Sequence, residues 1–148
     1  VLVLGAGGAV RGCLPILLAQ NPAKVTVVNR TLHKAIAIQK IFPQIEVLGF
    51  EALNQPSFDV ILNGTSASLK SRTLPIPDTL IRPETYCYDL SYSLSETVFL
   101  QQCREHGSQF CRDGLGMLIE QGAQAFYRRF GQKPETKNLL NDRAWLTQ

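Results

Sequence analysis

The residues best suited to chemistry stand near the start of the chain. Gly5-Ala6-Gly7-Gly8-Ala9 follows a short apolar run, Val1-Leu2-Val3-Leu4, and precedes a stretch with helical spacing. A glycine at 5 permits a tight turn, and one at 7 lets a pyrophosphate approach the backbone. The free N–H groups and dipole of the following helix then favour the negative charge. The third glycine of the dinucleotide fingerprint would fall at position 10, which holds Val10. A Gly-x-Gly-Gly variant still supplies both backbone openings; the competing reading is a glycine-rich turn without a ligand.

About 20 residues further on, NAD sites commonly place a carboxylate to bind the ribose 2′-hydroxyl. This chain has Asn29-Arg30-Thr31 there, with Lys34 one turn later. A guanidinium can hold a phosphate through two parallel hydrogen bonds or stack on a flat ring. NADP is therefore expected over NAD. The alternative, that Arg30 and Lys34 merely solvate a helix start, places cations where the helix dipole disfavours them.

Three further groups could face a ligand. Asn63-Gly64-Thr65-Ser66 ends a predicted strand and suits either close approach to a nicotinamide ribose or an ordinary turn. In Asp113-Gly114-Leu115-Gly116-Met117-Leu118, with Gln121 beyond it, positions 114, 117, 118, 121 and 125 share one helical face. Gln121 is the only polar side chain on it, either a satisfied core amide or a cleft-facing donor and acceptor. Tyr92, two residues beyond a predicted strand, is a cleft candidate or a partly exposed loop tyrosine. Asp113 is expected to cap the helix that follows.

The elements that must position these residues alternate strand and helix. Strands are expected at 1–4, 24–28, 45–48, 58–62, 86–90 and 108–111. A helix runs from the glycine turn to about Gln20. Another follows Thr31, with Ala35, Ile38 and Ile41 on one face and Pro43 as its stop. Residues 50–53 form at most a helical turn, and 67–79, with Pro75 and Pro77, an irregular loop. Helices are expected at 97–106, 115–130 and 135–146. Several strands are apolar on both faces, so the fold class is α/β: a doubly wound, mainly parallel Rossmann-type sheet of about six strands with helices on both faces.

The composition is permissive. The 148 residues carry a formal charge of +3, which demands neither nucleic acid nor a membrane as partner. No apolar run reaches the roughly 18 residues of a spanning helix. Cys13, Cys87, Cys103 and Cys111 have no metal-ligand spacing and read as buried, reduced thiols of a cytoplasmic protein. His33 and His106 read as solvated. The only methionine is Met117, so the chain reads as one domain of a longer protein.

Taken in order, Gly5-Ala6-Gly7-Gly8-Ala9, Asn29-Arg30-Thr31, Asn63-x-Thr65-Ser66, Asp89-x-x-Tyr92 and Gly114-Leu115-Gly116-Met117-Leu118-x-x-Gln121 resemble the cofactor-binding half of the shikimate dehydrogenase family. The likeness covers essentially the whole chain. It implies an NADP-dependent oxidoreductase that interconverts 3-dehydroshikimate and shikimate in aromatic amino-acid biosynthesis. By that likeness Gly5, Ala6, Gly7, Gly8 and Ala9 cradle the pyrophosphate, and Asn29, Arg30, Thr31 and Lys34 hold the 2′-phosphate. Thr65, Ser66, Leu90 and Gly114 line the nicotinamide side, and Tyr92 and Gln121 touch the small-molecule substrate.

The family's proton-transferring Lys and its Asp partner belong to an N-terminal domain, expected before Val1. This chain alone is therefore expected to bind NADP without turning over shikimate. Gly64, where the family usually has Ala, is expected to loosen its turn, and Leu90 replaces a frequent Met. Other oxidoreductases with a similar cofactor half, such as glutamyl-tRNA reductase, lack the Gly114–Gln121 helix. A quinate- or NAD-using relative and a non-catalytic nucleotide-binding module are the alternatives.

Overall fold

A computed structural model describes residues 1–54, 58–67 and 72–141. Short apolar runs become six strands: β1 (Leu2–Leu4), β2 (Thr26–Val28), β3 (Glu46–Leu48), β4 (Val60–Asn63), β5 (Tyr86–Asp89) and β6 (Phe110–Asp113). Every pairing is parallel, in the order β3-β2-β1-β4-β5-β6. The helices are α1 (Gly8–Leu18), α2 (Leu32–Gln39), α3 (Val98–Glu105), α4 (Leu115–Phe130) and α5 (Lys137–Asn141). The α/β class and the two-sided helical cover are as expected.

The two-residue period of a strand explains the layering. In β1, Leu2 and Leu4 enter one core, with Ile61, Cys87, Phe99, Leu100 and Cys103. Val3 points the other way, into a second core with Val10, Leu14, Val27, Ala35 and Ile38. Thus α3 covers one face, α1 and α2 cover the other, and β1 is fully buried between them. Burying a Leu or Val side chain contributes roughly 1.5–3 kcal/mol each. The order of strands reverses beside β1: β2 lies on one side and β4 on the other. That is the switch point where open α/β sheets leave a crevice at the carboxyl ends of their strands.

Several boundaries moved, each for a local reason. β6 begins two residues later than expected. Ser108 is instead an anchor, its buried hydroxyl donating to Thr85 O at 2.8 Å after Gly107 turns the chain. α2 ends at Gln39, and Ile41 is 59% exposed rather than on the buried face. Steps of three residues drift about 60° per step around a helix, so Ile41 lies far from the side on which Ala35 packs. Residues 142–146 of the last expected helix, and 68–71 of the expected loop, lie outside the described residues.

His106 is not a solvated side chain: it is 22% exposed, with Nε2 3.3 Å from Asp78 Oδ1. Cys87, Cys103 and Cys111 are buried free thiols, whereas Cys13 is half-buried. Burial pushes the Cys13 thiol pKa up. No helix among the described residues is long and apolar enough to cross a membrane.

Candidate functional site

Because all six strands run the same way, the loops after them share one edge of the sheet. β1 ends in Gly5, whose φ of +105° is a left-handed conformation that a side chain would strain. Its N–H donates to Val28 O at 2.7 Å, which turns the chain tightly over β2. α1 then starts from Gly7 with no side-chain cap. The first N–H groups of a helix have no partner within it, so this start offers donors and a positive dipole end.

On the β2 side, Asn29 Nδ2 donates to Thr31 O at 2.8 Å and fixes the bend into α2. Thr31 occupies the N-cap position as expected, but its side chain makes no cap bond. A cleft of about 530 Å³ opens here. It is lined by Gly5, Ala6, Gly7, Asn29, Arg30, Thr31, Lys34, Thr65 and Ser66, nine of the residues singled out in the sequence. Arg30 and Lys34 are exposed, with their side chains on the cleft wall.

Other residues line it that sequence reasoning missed: Phe50 and Glu51 after β3, Gly64 and Ala67 after β4, and Arg72 to Pro75 beyond. The signal for the β3 contribution was strand order, which no local motif reveals. The described lining carries three cations, Arg30, Lys34 and Arg72, against one carboxylate, Glu51. Phe50 and Ala67 pack on the core that holds Leu74.

The loop after β4 is tightly held. Asn63 and Asp89 are fully buried at the ends of β4 and β5, and Asn63 Nδ2 donates to Asp89 Oδ1 at 3.1 Å. Asn63 Oδ1 accepts from Thr65 N at 3.0 Å and from Thr65 Oγ1 at 2.7 Å. Asp89 also accepts from Ser91 N at 3.0 Å and Thr97 Oγ1 at 2.7 Å. One buried carboxylate and one buried amide thus join the loop after β4, the loop after β5 and the start of α3. In a low-dielectric interior such a network fixes geometry because each unmade bond is costly.

Gly64 does not loosen its turn. Its N–H donates to Leu4 O at 2.8 Å. A Cβ on Gly64 would collide with Val10 Cγ2 and come within 3.1 Å of Leu90 Cδ1. Val10, where the fingerprint has its third glycine, therefore fills the space that Gly64 leaves open. Gly64→Ala is expected to destabilise the chain by about 1–3 kcal/mol through overpacking. Adding Val10→Ala should recover most of that loss. Urea unfolding of the two single variants and the double one tests this; simple additivity of the two losses would refute the coupling.

Six expected site residues lie off the cleft wall. Gly8 and Ala9 open α1 directly behind it. Leu90 and Gly114 belong to the neighbouring strand ends: Gly114 N donates to Ser91 O at 2.9 Å, and a Cβ on Gly114 would strike Leu90 O. Tyr92 is 43% exposed, and Gln121 is exposed on α4. α4 buries Leu115, Ile119 and Ala123 instead, so the face carrying Gln121 and Leu118 points outward and the core-amide alternative is excluded. Asp113 Oδ1 accepts from Leu115 N at 3.3 Å, helping to cap α4 as expected.

Burial, followed by the nearby Asp113 charge, pushes the Tyr88 hydroxyl pKa up, while a backbone hydrogen bond from Met117 opposes this. That contact sets the first turn of α4 beside β5.

Comparison with known proteins accords with this arrangement. Residues 1–72 match the family described as shikimate / quinate 5-dehydrogenase. A shikimate dehydrogenase (NADP(+)) of Cellvibrio japonicus is 47% identical over 143 residues, covering 95% of this chain and 52% of that protein. The crystal structure of an Ael1 enzyme from Pseudomonas putida superposes with a TM-score of 0.86 at 39% identity, over 95% of this chain and 52% of that one. Shikimate 5-dehydrogenase of Thermus thermophilus, solved in complex with NADP(H) and shikimate, gives 0.73 at 33% identity, over 90% and 50%. The chain spans about half the length of these relatives. With its glycine turn, cationic cleft and reversed strand order, the chain belongs to the shikimate dehydrogenase family.

Proposed function

We propose that the chain is the NADP-binding part of a shikimate dehydrogenase, an oxidoreductase that reduces 3-dehydroshikimate reversibly in aromatic amino-acid biosynthesis. The observation that carries this is the meeting of Gly5–Gly7 with Arg30 and Lys34 on one cleft. The site fits a 2′-phosphorylated dinucleotide: a glycine turn with no side chain in the way, an uncapped helix start, and cations where an NAD site would need a carboxylate. Similar proteins carry NADP in their names or were solved with NADP(H), which supports the same reading.

In this reading the bound nicotinamide supplies hydride for the substrate carbonyl. The chain's own residues bind and orient. The first turn of α1 faces the pyrophosphate, and Arg30 and Lys34 take the 2′-phosphate. Thr65, fixed by Asn63, holds the loop that leads toward the nicotinamide side. Leu90 and Gly114 form the neighbouring wall, and Tyr92 and Gln121 stand exposed for a small-molecule substrate that a separate N-terminal domain also grips. The acid that protonates the carbonyl oxygen is assigned to that domain.

Titration of the chain with NADP and NAD tests the cofactor assignment, with at least tenfold tighter NADP binding expected. Shikimate oxidation should be undetectable with these 148 residues and present in a protein that includes the preceding domain. Turnover by the 148 residues alone would refute the division of labour.

A further inference from the structure

We propose that Arg72 is a specificity-determining residue of the nucleotide site: a second arginine that reaches the adenosine 2′-phosphate from the wall opposite Arg30. This rests on the cofactor reading above. Strand order supplies the placement. β1, with its glycine turn, lies between β2 and β4. Arg30 leaves the end of β2, whereas Arg72 stands on the segment that follows β4, and both line the same cleft. A dinucleotide crossing the glycine turn is therefore flanked by one arginine on each side.

The segment around Arg72 is held in place. Arg72 N donates to Ala67 O at 3.1 Å. Two residues later, buried Gln102 of α3 grips Leu74 on both sides: Leu74 N donates to Gln102 Oε1 at 3.0 Å, and Gln102 Nε2 donates to Leu74 O at 2.8 Å. Leu74 and Ile76 then sink into the core. The backbone flanking Arg72 is thus anchored, while its side chain is exposed and makes no ion pair among the described residues.

Two observations put Arg72 at the adenosine end rather than the nicotinamide end. Phe50 and Glu51, which follow β3 beyond β2, line the cleft, whereas Leu90 and Gly114 at the ends of β5 and β6 do not. Leu74, beside Arg72, belongs to the same core cluster on which Phe50 packs. The cleft therefore runs from β1 toward β3, the side on which Arg30 and Lys34 stand. A doubly charged phosphate there meets guanidinium groups from two elements, the geometry in which charge-assisted bonds are strongest. Glu51 sets the matching penalty, because without opposing cations its carboxylate would repel that phosphate.

The test is equilibrium binding to the full chain with four probes: NADP, NAD, adenosine 2′-monophosphate and adenosine 5′-monophosphate. Arg72→Ala and Arg72→Gln should each weaken NADP and the 2′-monophosphate about tenfold, and NAD and the 5′-monophosphate less than about threefold. Arg72→Lys should keep part of the loss from appearing, since it retains the charge but not the fork. An equal loss on all four probes would overturn the proposal in favour of stacking on the base. No loss on any probe would leave Arg72 outside the site and overturn it too. Failure of the cofactor reading looks different: the unsubstituted chain would then show no preference for the 2′-phosphorylated probes.

Discussion

Replacing Arg30 by Asp is expected to lower NADP affinity about a hundredfold or more while leaving NAD affinity within a few-fold of its starting value. The substitution removes a guanidinium from the cleft wall and places a carboxylate there. Loss of a charge-assisted, bidentate contact accounts for roughly ten- to hundredfold, and repulsion between the new carboxylate and the phosphate adds to it. Asp at this place is also what a ribose 2′-hydroxyl prefers, so the NADP-to-NAD preference should invert. Isothermal titration at two salt concentrations reads both effects, and the NADP loss should shrink at high salt. Equal weakening of both dinucleotides would show that Arg30 stacks rather than binds phosphate.

The second large effect falls on stability. Asp89→Ala is expected to cost on the order of 4 kcal/mol, a drop in melting temperature of roughly 8–16 °C. Asp89 is fully buried and accepts from Asn63, Ser91 and Thr97. Removing its carboxylate leaves three donors facing a void, and each buried donor left without a partner costs about 1–3 kcal/mol. Asp89→Asn, which keeps the shape and one acceptor oxygen, should lose about half as much. Because Asn63 passes the order on to Thr65, hydrogen exchange at the Thr65 and Ala67 amides should accelerate in the Ala variant more than at Val27 or Ala35, in the opposite half of the sheet. A melting temperature within 3 °C of the parent would contradict the network's role.

What could be read in the sequence was local, and what could not was long-range. The turn at Gly5–Gly8 and the cations at Arg30 and Lys34 are legible because the chemistry sits within a few residues of a strand end. The same holds for strands such as Thr26–Val28, whose β-branched run has few other uses. Arg72 and Phe50 could not be assigned, because their place in the cleft depends on which strand lies beside which. Nor could the partnership of Val10 with Gly64: each departs from a motif, and only their contact shows that one departure answers the other. The face of α4 was misjudged for a related reason. A single polar residue among apolar ones fits a core face, but Leu115, Ile119 and Ala123 compete for the core and occupy it.

The position of β1 has a consequence for how the molecule comes together. Leu2 pairs with Thr26 on one side and with Ile61 on the other, so the first strand made is also the middle of the sheet. During synthesis β1, β2 and β3 can assemble early, but one flank of β1 stays bare until residues 60–63 have left the ribosome. That flank is an unpaired backbone edge between apolar side chains, a template for pairing with any neighbouring chain. Closing it requires a contact far apart in sequence, and such contacts form slowly. The interval between the third strand and the fourth is therefore the aggregation-prone window of this protein, and folding yield at high concentration is decided there.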